Sequence, residues 1–183
     1  MAAGSGTRFG SDKLRHELPH GVSIAVQAAR HLKAEVPRVV AVVRPGSAEL
    51  SQALVREGCE VAVCENAAEG MGASLACAAR AAGAAEGYLV ALGDMPFIRR
   101  SSIAAVRDAL AGGAAIVAPY FRSRRGHPVG IAGKYLPELL ALKGDEGARQ
   151  LLAQQAVLKI PLGDPGVIRD IDRPEDLAPP LAV

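Results

Sequence analysis

The chain has 183 residues, half of them apolar, and a formal net charge of only +2. That is enough chain for one domain, residues 1–183, with a full core, and too little net charge for an overall field to favour nucleic acid or a membrane surface. Three cysteines, Cys59, Cys64 and Cys77, form no C-x-x-C pair, so neither a zinc site nor a disulfide framework is expected, and small thiols in a reducing cytoplasm are. No apolar run is long enough for a bilayer, and no stretch reads as a signal peptide.

The first thirteen residues concentrate glycines, small hydroxyl residues, Arg8 and Lys13. Gly4, Gly6 and Gly10 let successive backbone N–H groups turn towards one point and meet phosphate oxygens. Arg8 adds a planar fork and Lys13 a mobile point charge. The spacing Gly4-x-Gly6-x-x-x-Gly10 is neither the dinucleotide fingerprint nor a Walker loop, which weakens a nicotinamide oxidoreductase reading.

Beyond this loop, apolar spacing predicts a helix over Val22 to Leu32, a strand over Val39 to Val43, a helix over Ser47 to Arg56 and a strand over Glu60 to Cys64. A turn over Asn66 to Leu75 enters an alanine-rich helix that runs through Arg80. Tyr88 to Leu92 reads as a buried strand that runs into Gly93-Asp94-Met95-Pro96. Helix Ser101 to Leu110, strands Ala114 to Pro119 and Val129 to Ala132, helices Lys134 to Leu142 and Asp145 to Gln154, and a strand Val157 to Pro161 complete the chain, with Asp145 as an N-cap. Repeated strand, helix, strand units predict an α/β, Rossmann-like three-layer sandwich with a mostly parallel central sheet and ligands at the carboxyl ends of the strands.

Asp94 stands at that edge on stiff backbone, a hard oxygen ligand suited to magnesium beside phosphates. In Asp170-Ile171-Asp172, alternation points both carboxylates to one side and Ile171 to the core. Asp172 suits a metal and equally well caps the short helix opened by Arg173-Pro174-Glu175; Asp170 is the weaker candidate. Gly70 and Gly72 let a nucleobase lie against backbone, with the Ser74 hydroxyl in reach, although a turn capped by Ser74 would leave the same pattern. Arg122-Ser-Arg-Arg-Gly-His127 is a cationic stretch that could grip a phosphate, with His127 titrating near neutral pH, or a solvated basic loop. Few aromatic residues, none of them tryptophan, leave little for stacking on RNA bases.

Ala2-Ala-Gly-Ser-Gly-Thr-Arg-Phe-Gly-Ser-Asp-Lys13 resembles the signature loop A-A-G-x-G-x-R-x-G-x-x-K of nucleotidyltransferases with a MobA-like fold. Asn66 to Leu75, Gly93 to Pro96, Arg125 to Val129, Gly144 to Arg149 and Asp170 to Leu177 resemble, in the same order, stretches of the molybdenum cofactor cytidylyltransferases. The resemblance implies the nucleotide-diphospho-sugar transferase type of fold and transfer of CMP from CTP to the phosphate of molybdopterin. It implies nucleotide contacts at Ala2, Ala3, Gly4, Ser5, Gly6, Lys13, Asn66, Gly70, Met71 and Ser74, and catalytic roles for Arg8, Lys13 and Asp94. Mg²⁺ would sit on Asp94 and Asp172, and Arg125, Gly126, His127, Pro128 and Arg149 would hold the acceptor. A molybdoenzyme client is a further implied partner. Another nucleotide such as GTP, a sugar or alcohol phosphate acceptor, and a non-catalytic cofactor carrier are the rival readings. In the family this loop follows a buried strand, and Met1 stands where that strand should be ending, so a truncated first strand with a start upstream is expected.

Overall fold

The computed structural model describes residues 1–3, 13–145 and 147–177. Helix α1 (Ile24–Lys33) leads to strand β1 (Val40–Val43), helix α2 (Ala48–Arg56), strand β2 (Glu60–Val63), helix α3 (Met71–Ala82) and strand β3 (Gly87–Val90). Helix α4 (Arg100–Ala111), strands β4 (Ile116–Phe121), β5 (Arg124–Arg125) and β6 (Val129–Ala132), helices α5 (Leu136–Ala141) and α6 (Arg149–Gln154), and strand β7 (Leu158–Pro161) follow.

The α/β architecture expected from the alternating pattern is present. Strand β1 pairs β2 in parallel, with Val40 opposite Glu60 and Val43 opposite Val63. The second ladder runs β3, β6, β4, β5, with β7 also on β4. Parallel pairing holds for β4 with β7, whereas β6 runs against both β3 and β4. Helices α1, α2 and α4 lie on one face and α3, α5 and α6 on the other, because alternate strand residues point opposite ways. On the first face Ala41 and Val43 pack with Ile24, Leu50 and Leu54, and Met95 and Ile98 pack with Ile103 of α4 and with Leu32 of α1. On the second, Val42 packs with Cys64 and Ala67, and Leu75, Leu139 and Leu151 cover Ile116, Ala118 and Ile131. All three cysteines are unpaired thiols.

Two stretches differ from the sequence expectation. The helix expected from Asp145 begins at Arg149, so Asp145 caps no helix there; Gly144 and Gly147 hold the left-handed backbone angles, φ 56° and 54°, that break a helix. The cationic stretch from Arg122 is a β-hairpin rather than a loop. Phe121 pairs with Arg124, and Arg122 and Ser123 form its two-residue turn with φ of 47° and 67°, the geometry that fits strand twist.

Candidate functional site

Strand β3 ends at Val90, and the chain passes through Gly93 to Asp94, braced from behind by Met95 and Pro96, both buried. The backbone N–H of Ile171 donates to the Asp94 carbonyl at 2.9 Å. Ile171 is fully buried, and that anchor aims its neighbours outward at Asp94. One carboxylate oxygen from each of Asp94, Asp170 and Asp172 lies within 4.8 Å of the others. Asp170, the weaker candidate from sequence, therefore belongs to the same cluster.

Lys13 reaches into this acidic group. Its Nζ donates to Asp94 Oδ2 at 2.9 Å and to Asp172 Oδ1 at 3.0 Å. Burial pushes the Lys13 amine down, but the bonds to Asp94 and Asp172 more than offset it and hold the amine above its ordinary range. The helical turn Pro174–Leu177 takes its nearby carboxylate from Asp176, which accepts from the backbone N–H of Asp172 at 3.1 Å and of Arg173 at 2.9 Å. Capping by Asp176 leaves the Asp172 carboxylate directed at Lys13. The donor set is oxygen only, the kind that suits magnesium or manganese, and the ammonium between Asp94 and Asp172 shows that the pair draws a cation.

Lys13 and Asp94 stand in the wall of a pocket of about 640 Å³. Met1, Ala3, Gly70, Met71 and Ser74 line the same pocket. Gly70 sits at φ 127° and ends the turn before α3. A Cβ on Gly70 would strike the Asp145 carboxylate, and one on Gly72 would strike the Lys143 carbonyl. The Gly72 N–H donates to the Gly144 carbonyl at 2.7 Å. These glycines therefore allow close docking of the 143–145 segment onto the start of α3. Ser74 is buried inside α3 and does not cap it. Asn66 is turned into its own loop, donating to Glu69 at 3.2 Å and accepting from Cys64. Ala2 is buried beside β1, with its N–H on the Val42 carbonyl at 2.9 Å. Gly4, Ser5, Gly6 and Arg8 lie outside the described residues.

At the edge of β3, His127 points its Nδ1 at the Val90 carbonyl, 3.3 Å away. A carbonyl only accepts, so Nδ1 carries the proton. Burial pushes the His127 pKa below its ordinary value, with the Arg125 charge acting the same way. Its ring is thus neutral at pH 7, not poised to titrate there. Gly126 presses on the chain from the far side, since a Cβ there would strike the Val167 backbone, and the His127 N–H donates to the Val167 carbonyl at 2.8 Å. The His127–Pro128 peptide is cis, and Arg125 is exposed on the hairpin. Arg149 opens α6 as an exposed residue, and among the described residues no hydrogen bond or ion pair joins it to Arg125 or His127.

Arg44, Glu65 and Asp145 also line the pocket and were not singled out as ligand-binding from sequence. Arg44 directly follows β1, and Glu65 comes just after β2. The rule that ligands gather at the carboxyl ends of strands would have found both.

The MobA-like NTP transferase domain model matches residues 1–159. No curated protein matches the chain in sequence. A nucleotidyl transferase from Methanothermobacter thermautotroptrophicus superposes with a TM-score of 0.79 at 21% identity, covering 96% of this chain and 90% of that one. The manganese complex of Rv0371C from Mycobacterium tuberculosis H37Rv gives 0.77 at 21%, covering 95% and 91%. Molybdopterin-guanine dinucleotide biosynthesis protein A from Archaeoglobus fulgidus gives 0.70 at 20%, covering 96% and 92%. These likenesses carry the fold, and the family match over most of its length places the chain in the MobA-like NTP transferases.

Proposed function

We propose that the protein transfers CMP from CTP to the terminal phosphate of molybdopterin. An acceptor phosphate oxygen attacks the α-phosphorus, the bond from α-phosphorus to the bridging oxygen of the β-phosphate breaks, and pyrophosphate leaves with that electron pair. The product is a pyrophosphate-linked cytosine dinucleotide.

The observation that carries this reading is the contact of the Lys13 ammonium with both Asp94 and Asp172, with Lys13 and Asp94 in the wall of one pocket beside Gly70 and Ser74. In it the Lys13 ammonium, with Arg8, holds the triphosphate, and the backbone around Ala2 to Gly6 meets its oxygens. Asp94 and Asp172 would hold Mg²⁺, whose charge would offset that of the phosphates. The stretch from Asn66 through Met71 to Ser74 presents peptide groups to the base. Arg125, His127 and the Gly126 and Pro128 backbone position the acceptor at the edge of β3, with Arg149 contributing from α6. No covalent enzyme intermediate is formed, so rate enhancement comes from orientation and fixed charge.

The test is pyrophosphate release from CTP, GTP, ATP and UTP in magnesium, with and without molybdopterin. Release with CTP that requires molybdopterin is expected. Release that follows GTP, or that requires a sugar or alcohol phosphate, would overturn the specific assignment, and binding of CTP without turnover would make the protein a carrier.

A further inference from the structure

Asp164 is a buried carboxylate, only 3% exposed, that the chemistry of the pocket does not use. Helix α4 begins after Arg99, whose side chain has no oxygen to offer and caps nothing. Asp164 supplies the missing acceptor from across the fold. Its Oδ2 accepts from the Arg99 backbone N–H at 2.9 Å and from the Ser102 hydroxyl at 2.6 Å. That is the place a capping-box carboxylate fills when it comes from the helix itself. Its Oδ1 accepts from the Gly166 N–H at 2.9 Å, and the Arg99 guanidinium is 3.8 Å away. A charge held at a helix N-terminus by three hydrogen bonds is fixed in place, because movement would strip a desolvated group of its partners.

The residues on either side of these bonds lead straight to the acidic group. A Cβ on Gly166 would strike the Phe97 carbonyl, and the Ile171 N–H donates to the Asp94 carbonyl at 2.9 Å. The contacts of Arg99 with Asp164, Phe97 with Gly166 and Asp94 with Ile171 come in reverse order, so residues 94–99 and 164–171 run antiparallel, side by side. Val167, fully buried, packs in one cluster with Met95 and Ile98, and its carbonyl takes the His127 N–H at 2.8 Å. At the Ile171 end the two segments are fastened by a neutral backbone bond; at the Asp164 end they are fastened by two bonds to a charged acceptor, the stronger kind. Asp170 and Asp172 flank Ile171, so a slip of one segment along the other would change their distance from Asp94 and break the Lys13 bridge of 2.9 and 3.0 Å.

We propose that Asp164 is a positioning residue whose carboxylate fixes the register of residues 164–172 on residues 94–99, and thereby the spacing of Asp94 from Asp170 and Asp172. The proposal rests on the reading that Asp94 and Asp172 hold a divalent metal. Asp164 acts on that metal only through the backbone it anchors.

The test is Asp164→Asn in the full chain, read by hydrogen exchange at the Ile171 amide and by Mn²⁺ binding without nucleotide. The variant keeps an acceptor for the Gly166 N–H, and the Ser102 hydroxyl can turn to accept from the new amide, but the Arg99 N–H is left facing a donor. Exchange at Ile171 is expected to speed up about tenfold or more with the β1 amides unchanged, and the Mn²⁺ concentration for half-saturation to rise about tenfold or more. A lower Tm with unchanged Ile171 exchange and unchanged Mn²⁺ binding would make Asp164 a helix cap alone and overturn the proposal. So would faster exchange of every amide alike, or faster exchange at Ile171 with unchanged Mn²⁺ binding. If Asp164→Asn does not fold, Ser102→Ala, which removes only the 2.6 Å bond, is expected to show both effects at about threefold, and no change at Ile171 would overturn the proposal. Mn²⁺ binding that Asp94→Asn leaves as it was would bring down the metal reading itself, while exchange at Ile171 still decides whether Asp164 sets the register.

Discussion

Lys13 and Asp94, separated by 81 positions in sequence, are joined by an ion pair of 2.9 Å whose lysine end is nearly buried. The same ammonium meets Asp172 at 3.0 Å, so one cation compensates two carboxylates from distant parts of the chain.

Lys13→Met leaves Asp94 and Asp172 facing each other without that charge. Pyrophosphate release should fall at least about a hundredfold. The amine sits above its ordinary pKa of 10.5, so its stabilisation is complete below that value and is lost as pH rises through the folded-state pKa. Melting curves of the two proteins should therefore stay apart from neutral pH up to about 10.5 and converge only as pH rises beyond that value.

Asp94→Asn keeps the shape of the side chain and removes its charge. The variant should fold, as read by circular dichroism, and lose turnover by about a hundredfold or more. Full activity in this folded variant would defeat the assignment of Asp94 to the reacting centre.

Asp172 contacts Lys13, whereas Asp170 meets the cluster from an exposed position. Asp172→Asn should raise the magnesium concentration needed for half-maximal rate by about tenfold or more, and Asp170→Asn by much less. A titration of rate against magnesium for both variants ranks the second ligand.

His127 has its pKa held below the ordinary 6.5 by burial. The folded protein thus binds fewer protons than the unfolded chain between the two values, and stability is lost as pH falls from 6.5 through the folded-state pKa. In His127→Asn the amide N–H takes the place of Nδ1–H on the Val90 carbonyl. That variant should show a shallower decline of Tm between pH 7 and pH 5.

Gly126→Ala would push a methyl group into the Val167 backbone, which has no side-chain freedom to yield. A cost of about 2–3 kcal/mol is expected, seen as a Tm lower by about 5–10 °C. Gly163→Ala, with nothing near its Cβ position, is the control.

The order of elements was legible in the sequence because each strand and helix carries its own period: Val39 to Val43 as an unbroken apolar run, Val22 to Leu32 at helical spacing. Asp94 was legible too, since a carboxylate directly after a buried strand has one place to go in an α/β fold. Local pattern did not reveal that β6 runs against its neighbours, because pairing direction depends on which strands meet and not on any strand's own residues. Nor did it separate the roles of the last acidic residues. Asp172 and Asp176 are both placed to serve the final helical turn, and only the anchoring of Ile171 to Asp94 turned Asp172 to the site while Asp176 took the backbone N–H groups. His127 shows the same division. Its presence beside Arg125 was plain, but its neutral ring was decided by packing under β3, because a pKa follows solvent exclusion and contacts made across the fold. The sequence by itself determined the elements and the chemistry available at their ends; tertiary structure decided which of those groups meet, since that depends on strand order and burial that no local stretch encodes.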